Sequence, residues 1–224
     1  MSGAEHVASE QQQQQYRTMT DFITVETSGI DTETGYRLLI GAVVPRPIAW
    51  ITTVNGLGRV NAAPFSSYNY VAHSPPMLAV NIGSRNGELK DTARNIVETG
   101  QFVVNAATED MLEPMHASAA DYPPEIDEAE LLGIELLPSQ FIKPPRIARS
   151  PIHMECKLEQ AIKLGRGLNT LYIGEIVAFH FSPEVYDGRR VDSLKLKPVA
   201  RLGGPNYSAL GEIFHRPMMQ KPPK

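Results

Sequence analysis

The residues of this chain best suited to chemistry gather early. Between Pro45 and Asn95 stand Thr52, Thr53, Asn61, Ser66, Ser67, Ser84 and Thr92, with Arg85 and Lys90 just ahead of Asp91. Small polar side chains let a planar ligand come close to backbone N–H groups. The stretch from Lys90 to Gly100 reads as a short helix, with Asp91 or Thr92 as its N-cap, a buried stripe of Ala93, Ile96 and Val97, and a stop at Gly100. A helix start offers unpaired N–H groups and the positive end of a dipole, and both favour an anion. Arg85 and Lys90 would each add a charge-assisted hydrogen bond of about 1.5–3 kcal/mol. Together these features suit a phosphate monoester, which carries roughly −1.5 to −2 charges near neutral pH. Ser, Thr and Asn also fill ordinary loops, so the residues alone leave a plain capped helix open.

Other chemistries find less support. Cys156 sits in Ile152-His153-Met154-Glu155-Cys156-Lys157-Leu158-Glu159, which alternates strictly. That pattern turns Ile152, Met154, Cys156 and Leu158 inward and His153, Glu155, Lys157 and Glu159 outward. Cys156 and His153 then lie on opposite faces, and the thiol reads as a buried structural group. The six histidines stand at neither HxH nor HExxH spacing, so no metal is expected. Gly56-Leu57-Gly58 follows a strand without opening a helix, which makes it a hairpin turn and not a dinucleotide fingerprint. Glu175 interrupts an inward-looking series of Leu171, Ile173, Val177, Phe179 and Phe181. It reads as a paired or strand-end charge, with a tuned catalytic acid as the alternative.

The elements that must position these groups are mostly short strands. Ile48 to Val54 is rich in β-branched and aromatic residues and returns through Asn55-Gly56 to Val60-Asn61-Ala62-Ala63. Met77 to Ile82, Gln101 to Asn105, Ile152 to Glu159 and Leu171 to Phe181 read as further strands, while Pro64 to Tyr70 has no clear shape. Thr32 to Ile40 suggests a short helix weakened by Gly35 and Gly41. Thr108 to Ala120 suggests a helical region divided at Pro114, and a helical turn is expected near Asp127 to Leu132. Strands separated by turns, with a few short flanking helices, indicate a mainly β barrel. Residues 1–19, with the run Gln11 to Gln15, and residues 211–224 read as tails around a domain at 20–210. The 224-residue chain has a net charge of −4, which argues against a nucleic-acid footprint. It has one cysteine, no apolar run of membrane-spanning length and no apolar signal core, so a cytoplasmic protein is expected.

At this point the sequence resembles a known family, the flavin reductase-like proteins with an FMN-binding split barrel. The resemblance rests on blocks in family order. They are Pro45-Arg46-Pro47-Ile48-Ala49-Trp50-Ile51-Thr52-Thr53, Asn61-Ala62-Ala63-Pro64-Phe65-Ser66, Ser74-Pro75-Pro76, Lys90-Asp91-Thr92-Ala93-Arg94-Asn95-Ile96 and Gly100-Gln101-Phe102-Val103-Val104-Asn105. Tyr122-Pro123-Pro124-Glu125, Ser150-Pro151-Ile152-His153-Met154-Glu155-Cys156 and Arg201-Leu202-Gly203-Gly204-Pro205-Asn206-Tyr207 follow.

The resemblance implies a six-stranded antiparallel split β-barrel of Greek-key type that works as a homodimer, with FMN near the subunit interface. It places Thr52, Thr53, Asn61, Ala62, Ala63, Ser66 and Ser67 beside the flavin ring. The phosphate falls to Ser84, Arg85, Lys90 and Thr92, in line with the reading from chemistry alone. Arg201 and Tyr207 close the site from the same or the partner subunit, and His153 is an outside candidate for a nicotinamide or interface contact. The implied activity is an NAD(P)H-dependent flavin reductase that passes a hydride from NADH or NADPH to FMN and supplies reduced flavin to a partner monooxygenase. An FMN-carrying electron-transfer protein and a flavoenzyme with its own small redox substrate are the alternatives.

Overall fold

The computed structural model describes residues 22–85, 87–123, 126–166 and 169–217. The expected tail at 1–19 and the last seven residues of the expected tail at 211–224 lie outside the described residues, as do Asn86, Pro124 and Glu125. Two compact units are distinguished, Met1–Ile40 and Gly41–Lys224. Helix α1 (Thr32–Ala42), all but its last two residues in the first unit, begins where Asp31 accepts the Thr34 amide at 2.6 Å and the Gly35 amide at 3.0 Å. This local cap lets the helix run through Gly35 despite the glycine's poor propensity.

The second unit is built on strands. They are β1 (Arg46–Pro47), β2 (Ala49–Val54), β3 (Val60–Phe65), β4 (Tyr68–His73), β5 (Pro76–Gly83), β6 (Gln101–Ala106), β7 (Leu136–Leu137), β8 (Arg146–Ile147), β9 (Ile152–Leu164), β10 (Asn169–Phe181), β11 (Ala200–Arg201) and β12 (Tyr207–Ser208). Seven of them form one antiparallel sheet in the order β3-β2-β6-β9-β10-β5-β4. The edge strands β3 and β4 are consecutive in the chain and do not pair with each other. Ser66 and Ser67 carry the chain across that split. The count is seven strands, not six, because the segment without a clear shape in the sequence supplies β4.

Helix α2 (Asp91–Thr99) packs on β2 and buries Ala93 and Ile96 in a core with Ile51, Phe102, Val104 and Cys156. Val97, expected in the buried stripe, is exposed, and Asn95 takes its place. The helix wraps its contact face toward β2 and β3, so a polar residue with a partner there replaces an apolar one. Gly100 ends the helix in the left-handed conformation at φ 68°, donating to Ile96 O.

The opposite face of β2, β6 and β9 is also covered. Trp50 and Ile48 pack there with Met111, Met115, Ile147 and Val199, contributed by a 3₁₀ turn at Glu109–Met111, helix α3 (Leu112–Ala117), β8 and the residue just before β11. Pro114 sits in the first turn of α3, where a missing N–H is tolerated, so the helical region divides after Met111 and not at Pro114 as expected. Covering both faces overturns the outward assignment on β9: His153 and Glu155 are buried, not solvent-facing. His153 Nε2 lies 2.9 Å from Ile147 O, and burial lowers its pKa. It is therefore not a surface residue. Cys156 is fully buried as expected, and burial raises its thiol pKa.

The inward series on β10 is also the other parity. Tyr172, Gly174 and Ile176 are buried, while Leu171, Ile173, Glu175 and Val177 are partly exposed and Phe179 is exposed. A strand apolar on both faces gives no parity signal, and register shifts at Ile173/Gly174 and Ile176/Ala178 move it further. Glu175 lies opposite Lys157 on β9 and Met77 on β5, so the paired-charge reading has a partner at hand.

Gly174 shows how closely this wall is packed. A Cβ there would lie 2.5 Å from Cζ of the buried Phe102 ring. Gly174→Ala is expected to lower stability by about 1–3 kcal/mol through overpacking. A shifted urea midpoint with an unchanged slope is the expected signature; an unshifted midpoint would mean the ring moves freely.

The β2–β3 turn differs in detail from a simple Asn-Gly hairpin. Gly58, not Gly56, has positive φ, and Asn55 Oδ1 accepts from the Leu57 and Arg59 amides. Among the described residues no helix is long and apolar enough to cross a membrane.

Candidate functional site

The site begins at the start of α2. Lys90 takes the N-cap position with an extended backbone and no side-chain cap hydrogen bond. The expected cap residues Asp91 and Thr92 fall inside the first turn instead. Thr92 is buried because its hydroxyl accepts a 2.8 Å bond from Asn61 Nδ2. A second such bond, Asn95 Nδ2 to Thr53 Oγ1 at 3.0 Å, ties the next turn to β2. These two pairs fix the start of α2 against β2 and β3, leaving its first N–H groups pointed at one place.

Arg85 stands close to Lys90. Partial burial and then the Arg85 cation lower the Lys90 ammonium pKa. Arg85 forms an ion pair with Asp121, and its backbone closes a small two-way bridge with Glu88, at 2.8 Å in each direction. Ser84 directly precedes it at the end of β5. Arg85 and Lys90 therefore stand together just ahead of the helix whose first turn holds Thr92, with Ser84 next to Arg85 in the chain.

A second group forms where β3 ends. Arg46 is buried, donating to Val43 O at 2.7 Å, to Leu202 O at 3.0 Å and to Ser66 Oγ at 3.4 Å. Strand β11 pairs with both β1 and β12, which aligns Arg201 with Arg46 and with Tyr207. The Arg201 guanidinium lies 4.5 Å over the Tyr207 ring, a cation–π contact. His116 Nδ1 is 2.9 Å from the Tyr207 hydroxyl. Arg201 and Tyr207 thus stand near Ser66 of their own chain, through Arg46.

Strand β3 links the two groups. From Asn61 to Ser66 it advances five residues, or about 16 Å at strand rise. Asn61 is buried, Ala63 half-buried and Ser67 exposed, while the Ala62 amide is held by Glu128 Oε2 at 2.9 Å. Thr52 faces the other way from Thr53. Its hydroxyl donates to Pro145 O at 2.5 Å and accepts from Asn105 Nδ2 at 3.3 Å. It braces the far face of the sheet instead of joining Thr53, Asn61 and Thr92.

A model of the flavin reductase like domain matches residues 40–195. The chain belongs to that family. This flavin reductase-like protein is 44% identical over 187 residues to YwrF of Bacillus subtilis, an uncharacterized protein, covering 80% of this chain and 90% of YwrF. Its fold matches nitrilotriacetate monooxygenase component B from Bacillus cereus with a TM-score of 0.85 and 37% identity, over 88% of this chain and all of that one. It also matches Pseudomonas fluorescens 2-nitrobenzoate 2-nitroreductase NbaA with a TM-score of 0.80 and 37% identity, over 90% and 99% of the two chains. The mainly β, split-barrel class expected from the sequence is that of the family.

Three residues of this flavin reductase-like protein carry structural weight that their sequence context does not announce. Arg46 joins the Ser66 turn to the late motif, a link that its place in the Pro45-to-Thr53 block does not indicate. His116 meets Tyr207 across 91 positions of sequence. Asn95 looks like a surface position of an amphipathic helix until its bond to Thr53 is known. Only long-range pairing could have found them.

Proposed function

We propose that this flavin reductase-like protein binds FMN and passes a hydride to it from NADH or NADPH. The observation that carries the reading is the start of α2: a helix N-terminus without a side-chain cap, beside Lys90, whose ammonium is depressed by partial burial and then by the nearby Arg85 cation. A dianionic phosphate relieves that repulsion and takes up the free N–H groups. Ser84, Arg85, Lys90 and Thr92 would hold the phosphate. The β3 backbone from Asn61 to Ala63 and the turn at Ser66 and Ser67 would flank the ring, with Thr53 supporting β3 from β2. The span from Asn61 to Ser66 suits an elongated ligand with an anion at one end and a ring at the other. When bound, FMN supplies a ring that accepts a hydride and passes its electrons on.

The chain's own part is positioning. The bonds between Asn61 and Thr92 and between Asn95 and Thr53 hold strand and helix in one arrangement. Arg46 holds Ser66, and the stacked Arg201 and Tyr207 wall the far end. A rigid, water-poor stacking surface favours direct hydride transfer. The partly exposed apolar residues Leu171, Ile173, Val177 and Phe179 on β10 support a homodimer through that face. Likeness to a protein named as a monooxygenase component supports reduced FMN being handed to a partner monooxygenase. Likeness to a 2-nitroreductase favours a second reading, in which the protein reduces a small nitroaromatic compound itself.

Nicotinamide oxidation tests both. The first reading predicts NADH or NADPH consumption that rises with added FMN and needs no nitro compound. The second predicts loss of 2-nitrobenzoate by this protein alone. No consumption of either nicotinamide, with or without flavin, overturns both.

A further inference from the structure

The outer edge of β3 is covered in an unusual way. As an edge strand it turns the N–H groups of Val60 and Ala62 away from the sheet. Two successive carboxylates meet them. Asp127 Oδ2 accepts from Val60 N at 3.1 Å, and Glu128 Oε2 accepts from Ala62 N at 2.9 Å. The other oxygen of Asp127 caps helix α4 (Glu128–Leu131) by accepting from Glu130 N at 3.0 Å. Asp127 therefore has a local reason to be there. Glu128 opens the first turn of the same helix, yet it is only 6% exposed and its carboxylate turns to a strand amide. A buried carboxylate on a backbone amide is a costly way to close an edge unless the charge has a use.

We propose that Glu128 is a positioning residue for flavin: its ionised carboxylate grips the Ala62 amide, fixes the β3 backbone that the ring lies along, and ties flavin affinity to pH. The proposal rests on the flavin reading above and adds a residue and a regulation to it.

The surroundings of Glu128 place its ionisation where pH can act. Its carboxyl is pushed up to about 7, chiefly by burial and further by Asp91 and Asp127, against the pull of the Ala62 N–H. Asp91, Arg94 and Glu98 from α2 and Arg59 from the β2–β3 turn line the same groove, of about 430 Å³. Above that value Ala62 donates to a charged acceptor; below it, to a neutral and weaker one.

Stability runs the opposite way. A carboxyl whose folded value is raised stabilises the fold fully below its ordinary value of 4.5, and this contribution is lost as pH rises through about 7. A merely structural Glu128 would leave the affinity of the folded protein flat while stability falls with rising pH. A positioning Glu128 makes affinity rise while stability falls.

Riboflavin is the probe, because it carries the ring without a phosphate that itself titrates near pH 6. Quenching of flavin fluorescence reads the affinity of the full chain between about pH 6 and about pH 8. The wild type is expected to bind about fivefold more tightly at the upper end, the difference between a charged and a neutral acceptor. Glu128→Gln is expected to be flat across the range at the weaker value. His116 beside Tyr207 is unchanged in that variant, so a rise that persists in Glu128→Gln belongs to another group and overturns the proposal. A flat wild-type profile overturns it as well, whether or not the variant folds. Absence of binding of both riboflavin and FMN at every pH overturns the flavin reading itself, and this proposal with it.

Discussion

Replacing Arg85 and Lys90 together by alanine is expected to weaken FMN binding by about 100-fold or more, at roughly 1.5 kcal/mol or more for each charge-assisted contact. Riboflavin affinity should change by no more than about threefold, because neither side chain is assigned to the ring. The contrast matters more than either number. Both residues are exposed, and Arg85 already pairs with Asp121, so their removal leaves the fold intact. A loss confined to the phosphate-bearing ligand would place the anion at the start of α2. Equal losses for both flavins would mean that the two cations support the loop and not the ligand. No loss for FMN would remove the site from this part of the chain. Fluorescence titration of each flavin against wild type and variant supplies the four affinities needed.

Glu155→Ala is expected to cost about 3 kcal/mol or more of unfolding free energy. Its fully buried carboxylate accepts from the Gln140 and Phe141 amides at 2.8 Å each and from His180 Nε2 at 2.7 Å. Removing it strands two amides and a histidine in the fold. The segment it holds continues to Pro145, whose carbonyl receives Thr52, and to Ile147, whose amide meets Asn105 Oδ1 at 2.9 Å. The damage therefore reaches the back of β2, the strand that carries Thr53. Burial alone would raise the Glu155 pKa, but the two amides and His180 outweigh it and hold the group below its ordinary value of 4.5. Its contribution is thus complete above that value and is lost as pH falls through the depressed one. Urea unfolding followed against pH should show an acid limb in the wild type that flattens in Glu155→Gln. An unaltered limb would assign acid sensitivity elsewhere.

Much of this molecule could be read from residue order, and the gaps have physical causes. Ile48 to Val54, Gln101 to Asn105 and the α2 stop at Gly100 follow local rules, and the structure has them. The proposed phosphate cluster could be picked out because Arg85, Lys90 and Thr92 are close in sequence and adjoin the start of α2. Strand faces were harder. His153 and Glu155 look solvent-facing in an alternating strand, yet the segment from Ser139 to Ile147 covers them. On β10 both parities are apolar, so only pairing with β5 and β9 decides which side is inward. Strand β4 was hidden by Tyr68, Asn69 and Tyr70, which alternate too weakly to signal an edge. Glu128 and Arg46 act on partners 66 and 156 positions away, beyond the reach of any local pattern.

A crystal structure of the protein grown with FMN tests the placement of the flavin most sharply. The phosphate is expected at the first turn of α2, within hydrogen-bond reach of Arg85, Lys90 and Thr92, and the ring along Asn61 to Ala63 toward Ser66. A flavin bound with its phosphate away from that helix start, or a saturating soak that leaves no flavin in the protein, would contradict that placement.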